Sequence, residues 1–210
     1  MDATTQYALA YALTTTAGIR GLLALAALSL VAHFGLMQMP QGFVWLGSWQ
    51  ASTALSCVAF LDILGDKIPL LDHALHIAHV IVKPVAAAIL VGGVVHPQSN
   101  EQLIALMILG ALNALGIHAA SATARLTSTA TTGGFGNPIL SLVEDVLSSI
   151  MLIVAFVVPY LAVAIALLLT AAIITLAILA RKRLAAPRQP GSMSLETRTL
   201  RFHWAKSLRT

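Results

Sequence analysis

Arg20, Asp62, Asp66, Lys67, Arg125, Glu144 and Asp145 interrupt the apolar runs of this chain. A charged side chain at mid-bilayer costs ~2.5–3.5 kcal/mol, so such groups face a bundle interior and pair with one another or handle an ion. Asp62 and Asp66 are four apart and share a helix face. Ser141, Glu144, Asp145, Ser148 and Ser149 form a polar stripe in an otherwise apolar segment. Adjacent carboxylates repel, so at least one is expected to have a raised pKa or a cationic partner. Arg125 shares one helix with Asn113, His118, Ser121 and Ser128 and supplies its fixed positive charge, while Arg20 follows Gly18 in the first apolar segment. Arg20 and Arg125 are therefore expected to meet Asp62, Glu144 and Asp145 in the interior. Such a cluster moves a proton or cation, holds an anionic group on its arginines, or serves as a static ion-pair lock. Asp66 and Lys67 read first as caps of a headgroup-level loop.

His73, His76 and His79 recur at every third position with Asp72 and Lys83 nearby. Three imidazoles on one face are weak metal candidates, since ligands normally come from more than one element, and interfacial histidines are the plainer reading. No metal and no cofactor is expected. Two stretches read as helix breaks: Thr14 to Gly18, and Thr129 to Pro138 with its three glycines. A Gly-rich break leaves a helix N-terminus that favours anions, which makes Gly18, Gly133, Gly134, Gly136 and Asn137 anion-binding candidates; a surface loop is the alternative for the second stretch.

These residues need helices to carry them. The chain of 210 residues is 58% hydrophobic and only 10% charged, too apolar for a soluble domain. Apolar segments of ~20 residues fall near 6–35, 43–64, 70–95, 102–125, 138–158 and 160–181. The expected fold is all-α: a polytopic membrane helix bundle of about six transmembrane segments with broken helices. Gly18-Ile19-Arg20 echoes Gly116-Ile117-His118, and Asp62 echoes Glu144 and Asp145; the two halves read as an inverted three-helix repeat or as chance similarity. Residues 1–180 form the transmembrane domain. Residues 181–210 hold eight Lys and Arg against Glu196 and read as a basic cytoplasmic tail. Six spans then place the N-terminus inside as well. The tail's charge suits anionic lipid, and nucleic acid is not an expected partner. With Arg20 as the first basic residue, no cleavable leader is expected. The one cysteine, Cys57, excludes an internal disulfide and reads as an inert buried thiol.

Several short motifs together resemble a known family. Ala17-Gly18-Ile19-Arg20, Leu61-Asp62 with Gly65-Asp66-Lys67-Ile68-Pro69, His79 with Lys83-Pro84, His118 with Arg125, and Phe135-Gly136-Asn137-Pro138 with Ser141 to Asp145 are similar in order and spacing to the bacterial membrane family called domain of unknown function 4126. The similarity covers most of residues 7–180. It implies a multi-spanning protein of the bacterial inner membrane and marks Asp62, Asp66, Lys67, Arg125, Glu144 and Asp145 as signature positions, without naming a substrate. The family usually carries glutamate where Asp62 stands, arginine at Lys83 and a second basic residue at Ser121, so this chain lacks one cation on its fourth helix.

No phosphate-loop, nucleophile-elbow, dinucleotide-binding or zinc-protease motif occurs. The leading reading is a transporter or channel-like protein that moves a small ion or solute among membrane lipids, with a homo-oligomer as a guess. A lipid-headgroup enzyme or lipid-handling protein using Arg20, Arg125 and the 133–137 turn is the first alternative. A scaffold subunit with a structural ion-pair cluster is the second.

Overall fold

The computed structural model describes residues 1–66 and 69–185, except for the side chains at 69–76, 173, 177, 180, 181 and 183–185. Lys67 and the basic tail from 186 onward lie outside the described residues, as do the side chains of His73 and His76. Six α-helices follow one another: α1 Ala3–His33, α2 Trp49–Gly65, α3 Pro69–Val94, α4 Asn100–Thr132, α5 Asn137–Val157 and α6 Pro159–Ala185, with a 3-10 helix Gln41–Gly47 before α2. Side chains with few alternative partners start them. Asp2 accepts from the Thr5 N–H, Ser48 from Ala51 and Ser99 from Gln102, each at 3.1–3.2 Å, which satisfies amide donors that have no intrahelical acceptor. Thr5, through its hydroxyl and then its N–H, holds the Asp2 carboxyl below its ordinary pKa. Proline opens α3 and α6 and stands in the first turn of α5, where its missing N–H costs nothing.

Among the described residues five helices are long and apolar enough to cross a membrane, or six if the 3-10 helix and α2, bent by 65°, count as one span. A belt of exposed aliphatic and aromatic side chains, such as Phe60, Ile108, Ile153 and Leu168, surrounds a core that contains charge. That inverted distribution suits a lipid solvent. Cys57 belongs to the belt: it is exposed, not buried as its apolar neighbours suggest.

The first helix does not run straight. Arg20 leaves helical geometry (φ −132°, ψ 80°), and the limbs on either side of it lie along the same helix, α3. The His96 N–H donates to Gln6 at 2.9 Å, whereas Gly93 abuts Leu28 and Gly21 abuts Lys83. A straight helix would hold Gln6 and Leu28 about 33 Å apart, yet both meet the last turn of α3. α1 is therefore a helical hairpin that enters the bundle, reverses at Arg20 and returns to the end where it began. Each limb, 3–19 and 21–33, is about 20–25 Å long, short of the ~30 Å hydrocarbon core.

The remaining helices alternate. α2 runs from that end down to Asp66, α3 returns, α4 descends beside limb 3–19, α5 ascends and α6 descends. The N-terminus and the end of α6 thus lie at opposite ends, where six simple spans had placed them together. Helices α1 and α4, which an inverted repeat would pair, also differ, because α4 carries no such break across its 33 residues.

The expected breaks move as well. Thr14 to Gly18 stays helical because the hydroxyls of Thr14 and Thr15 donate to the Tyr11 carbonyl and that of Thr16 to Ala12; the backbone opens two residues later, at Arg20. The glycines of 129–138 end α4 rather than interrupt a buried span. Gly133 (φ 64°) and Gly134 (φ 94°) take the left-handed conformation that closes a helix, and Phe135 in this link is 88% exposed.

Candidate functional site

Where the α1 hairpin turns, the bundle interior becomes charged. Arg20 is 1% exposed, and its guanidinium forks between two other helices, α2 and α5. Nη1 pairs with Asp66 at the end of α2, Nη2 donates to the Ser141 Oγ (2.8 Å) and carbonyl (3.3 Å) on α5, and Nε lies 2.7 Å from Asp145 Oδ1 in an ion pair off the N–H axis. Leaving helical geometry at Arg20 is what lets one side chain reach all of them. Arg125 of α4 pairs with Glu144 and stands 3.6 Å from Asp66; Ser121 donates to the other Glu144 oxygen. Glu144 also lies 4.0 Å from Arg20.

A second group adjoins the first. His79 Nε2 meets Asp62 Oδ1 at 2.7 Å, the His79 and His118 rings are T-shaped with centroids 6.4 Å apart, and Lys83 Nζ hydrogen-bonds His118 Nδ1 at 3.1 Å. Lys83 is buried and interacts electrostatically with Glu144, Arg20, Arg125 and Asp66. Among the described residues the joint cluster has four carboxylates, Asp62, Asp66, Glu144 and Asp145, against Arg20, Arg125 and Lys83. One negative charge is in excess until a histidine or carboxylate is protonated or a cation binds.

These positions revise several expectations. Arg20 and Arg125 do meet Glu144 and Asp145, but Asp62 pairs with His79 rather than with an arginine. Asp66, read as a loop cap, is buried and, like Glu144, lies against both arginines. His79 faces Asp62 and His118. Asp62, Asp66 and His79 present ligand atoms within 4.8 Å of one another, with Asp66 Oδ2 paired to Arg20 and Asp62 to His79. Gly18 is far from the 133–137 turn: a Cβ there would stand 2.5 Å from Ile117 Cβ and 2.8 Å from the Ala114 carbonyl, so this glycine serves close helix packing. At the turn the Gly136 N–H already donates to Thr132 Oγ1 and the Asn137 amide to Thr129 Oγ1, each at 3.0 Å. Gly133, Gly134, Gly136 and Asn137 therefore form a hydrogen-bonded link at the far end of the bundle, away from the charged apex. Lys83 was missed as a site residue, although its place four residues after His79 puts it on the same face.

Two clefts flank this centre along one stripe of α4. The upper, about 360 Å³, lies toward the N-terminal end among Tyr7, Tyr11 and Thr14 of α1, Val95 of α3 and Gly110 and Asn113 of α4. The lower, about 570 Å³, lies between α4, α5 and α6 and includes Ser121, Ala124, Glu144 and Leu176 with Ile19 of α1. Between them Gly18 presses on Ala114 and Ile117. Residues 110, 113, 117, 121 and 124 are spaced by three or four, so they share one face of α4, and the α1 apex divides it.

No curated protein and no solved structure matches the chain. One family model spans nearly the whole helical region, and over residues 7–178 the chain belongs to the family described as a domain of unknown function, DUF4126.

Proposed function

We propose that the protein is a small transporter whose charged cluster carries a proton or small cation, with Arg20 and Arg125 as the fixed charges that the moving one exchanges against. The observation that carries this reading is the pair of clefts on one face of α4, with the Gly18 contact between them and, among the described residues, four carboxylates against three fixed cations beside it. A re-entrant helix ending in buried charge between two half-clefts is the arrangement that alternating exposure of one site requires. Glu144, Asp145, Asp66 and Asp62 are the candidate carriers, and the Lys83–His118–His79–Asp62 chain supplies groups that can pass a proton. Proposed with it are an inner-membrane location, a cytoplasmic basic tail and therefore an external N-terminus.

The test is proton flux into proteoliposomes driven by a potassium diffusion potential and read by an internal pH dye. Glu144→Gln and Asp145→Asn should each lower the flux at least tenfold while keeping a monodisperse protein with a melting temperature within a few degrees of wild type. One specific feature favours the alternative, a structural lock: each of the four carboxylates already has a cationic or imidazole partner. On that reading the same variants unfold, or the wild type conducts nothing.

A further inference from the structure

We infer that the lower cleft is a binding site for a hydrophobic organic cation, with Glu144 as its counter-ion. The inference rests on the transport reading above and names the class of solute. The cleft walls are aliphatic: Leu140, Val143 and Leu147 from α5 and Leu169, Leu176 and Leu179 from α6. Among the described residues its polar lining comes from Ser121, Thr127 and Glu144, and the charged group among them is a carboxylate. A volume of about 570 Å³ falls in the range that holds a drug-sized molecule. The cleft sits where α4 and α5 draw apart, and its walls are continuous with the exposed aliphatic belt of both helices, at Leu126, Ile139 and Leu142. A solute that partitions into lipid can reach it sideways.

Charge decides between classes of occupant. An anionic amphipath would bring a second negative charge against Glu144 in a medium of low dielectric, where like charges repel strongly. A cation instead offsets the one carboxylate by which, among the described residues, the acids of the cluster outnumber its fixed cations. Arg125 makes the exchange feasible, because its Nη2, paired with Glu144, also lies 3.6 Å from Asp66. A bound cation taking Glu144 leaves Arg125 a second carboxylate and no buried charge unpartnered. Ser121 stays in place as donor to the other Glu144 oxygen. A hydrophobic body matters as much as the charge, since a small hydrated cation gains nothing from the aliphatic wall and pays its full desolvation.

The experiment is equilibrium binding of tetraphenylphosphonium to the full-length protein in lipid nanodiscs, read by isothermal titration. Saturable one-site binding is expected, weakened at least tenfold by Glu144→Gln, which keeps the side-chain shape. Ala172→Trp, which fills the cleft from α6 without touching the charged cluster, should weaken it as much, and this second variant keeps the test valid should Glu144→Gln misfold. Laurate at the same concentrations should not compete. Absence of saturable binding to wild type, binding indifferent to both variants, or displacement by laurate overturns the inference. Binding without any wild-type proton flux would confirm the site while sinking the transport reading; flux that depends on Glu144 with no phosphonium binding would do the reverse.

Discussion

Arg20 concentrates the chemistry of the molecule in one side chain. A guanidinium has five donors in a rigid fork, and here the fork holds Asp66 at the end of α2 and Ser141 on α5, with Asp145 of α5 in an ion pair beside Nε. Lysine, a single ammonium, cannot hold these directions together. Removing the fork leaves Asp66 and Asp145 with less compensation in a buried setting, and breaking a buried pair costs ~3–5 kcal/mol. Arg20→Ala should therefore strongly destabilise the detergent-solubilised protein in thermal melts. The pairing also makes a sharper claim. Adding Asp66→Asn to Arg20→Ala removes one of the stranded charges, so the double variant should melt above the single Arg20→Ala variant. If instead the two losses simply add, Arg20 and Asp66 are not coupled, and the ion pair at the hairpin apex does not hold α2 in place.

At the scale of elements, hydropathy marks each helix, and all six α-helices fall close to the segments expected from composition. Direction is what hydropathy cannot carry. A hairpin and a straight helix of the same residues have the same apolar count, and nothing in Leu-Thr-Thr-Thr-Ala-Gly-Ile-Arg states that the chain turns back. The threonines mislead, because hydroxyls bonded to the preceding turn let them stay helical, so the break falls at Arg20, where burying the fork outweighs one residue of helical geometry. The charged site was legible in type, since charges isolated among apolar residues must converge somewhere. Its pairing was not, because Asp62 could reach an arginine or a histidine and only the packing of α2 on α3 selects His79. Reversal of α1 makes a direct prediction. In a Cys57→Ala background, Ala3→Cys and Phe34→Cys flank the two limbs and should react with a membrane-impermeant maleimide from the same side of sealed vesicles. Phe135→Cys, in the α4–α5 link, should react from the other. Labelling of positions 3 and 34 from opposite sides would sink the hairpin and restore a plain span.

The molecule as a whole is held closed at one layer. Limb 3–19 of α1 and α4 run side by side, and the stripe on α4 that lines the upper cleft at Gly110 and Asn113 continues below as Ser121 and Ala124. Its interruption is Gly18 against Ala114 and Ile117. Above that layer the Asn113 amide donates to Thr14 and Thr15, each at 3.0 Å, so the polar lining reaches the partition from one side and Glu144 reaches it from the other. Ile117 is the largest side chain in the partition. Ile117→Ala removes three carbons there, at a stability cost of ~2–5 kcal/mol, and leaves space beside a backbone that has no Cβ of its own. Water entering that space would join the Asn113 layer to Ser121 and Glu144. Proteoliposomes containing folded Ile117→Ala should then leak protons down an imposed gradient severalfold faster than wild type, with the leak suppressed again by Glu144→Gln in the same chain. A partition that is only one of several seals would leave the wild-type and Ile117→Ala leaks equal, and the barrier would have to be sought in the Lys83–His118 pair that closes the opposite face of the α1 apex.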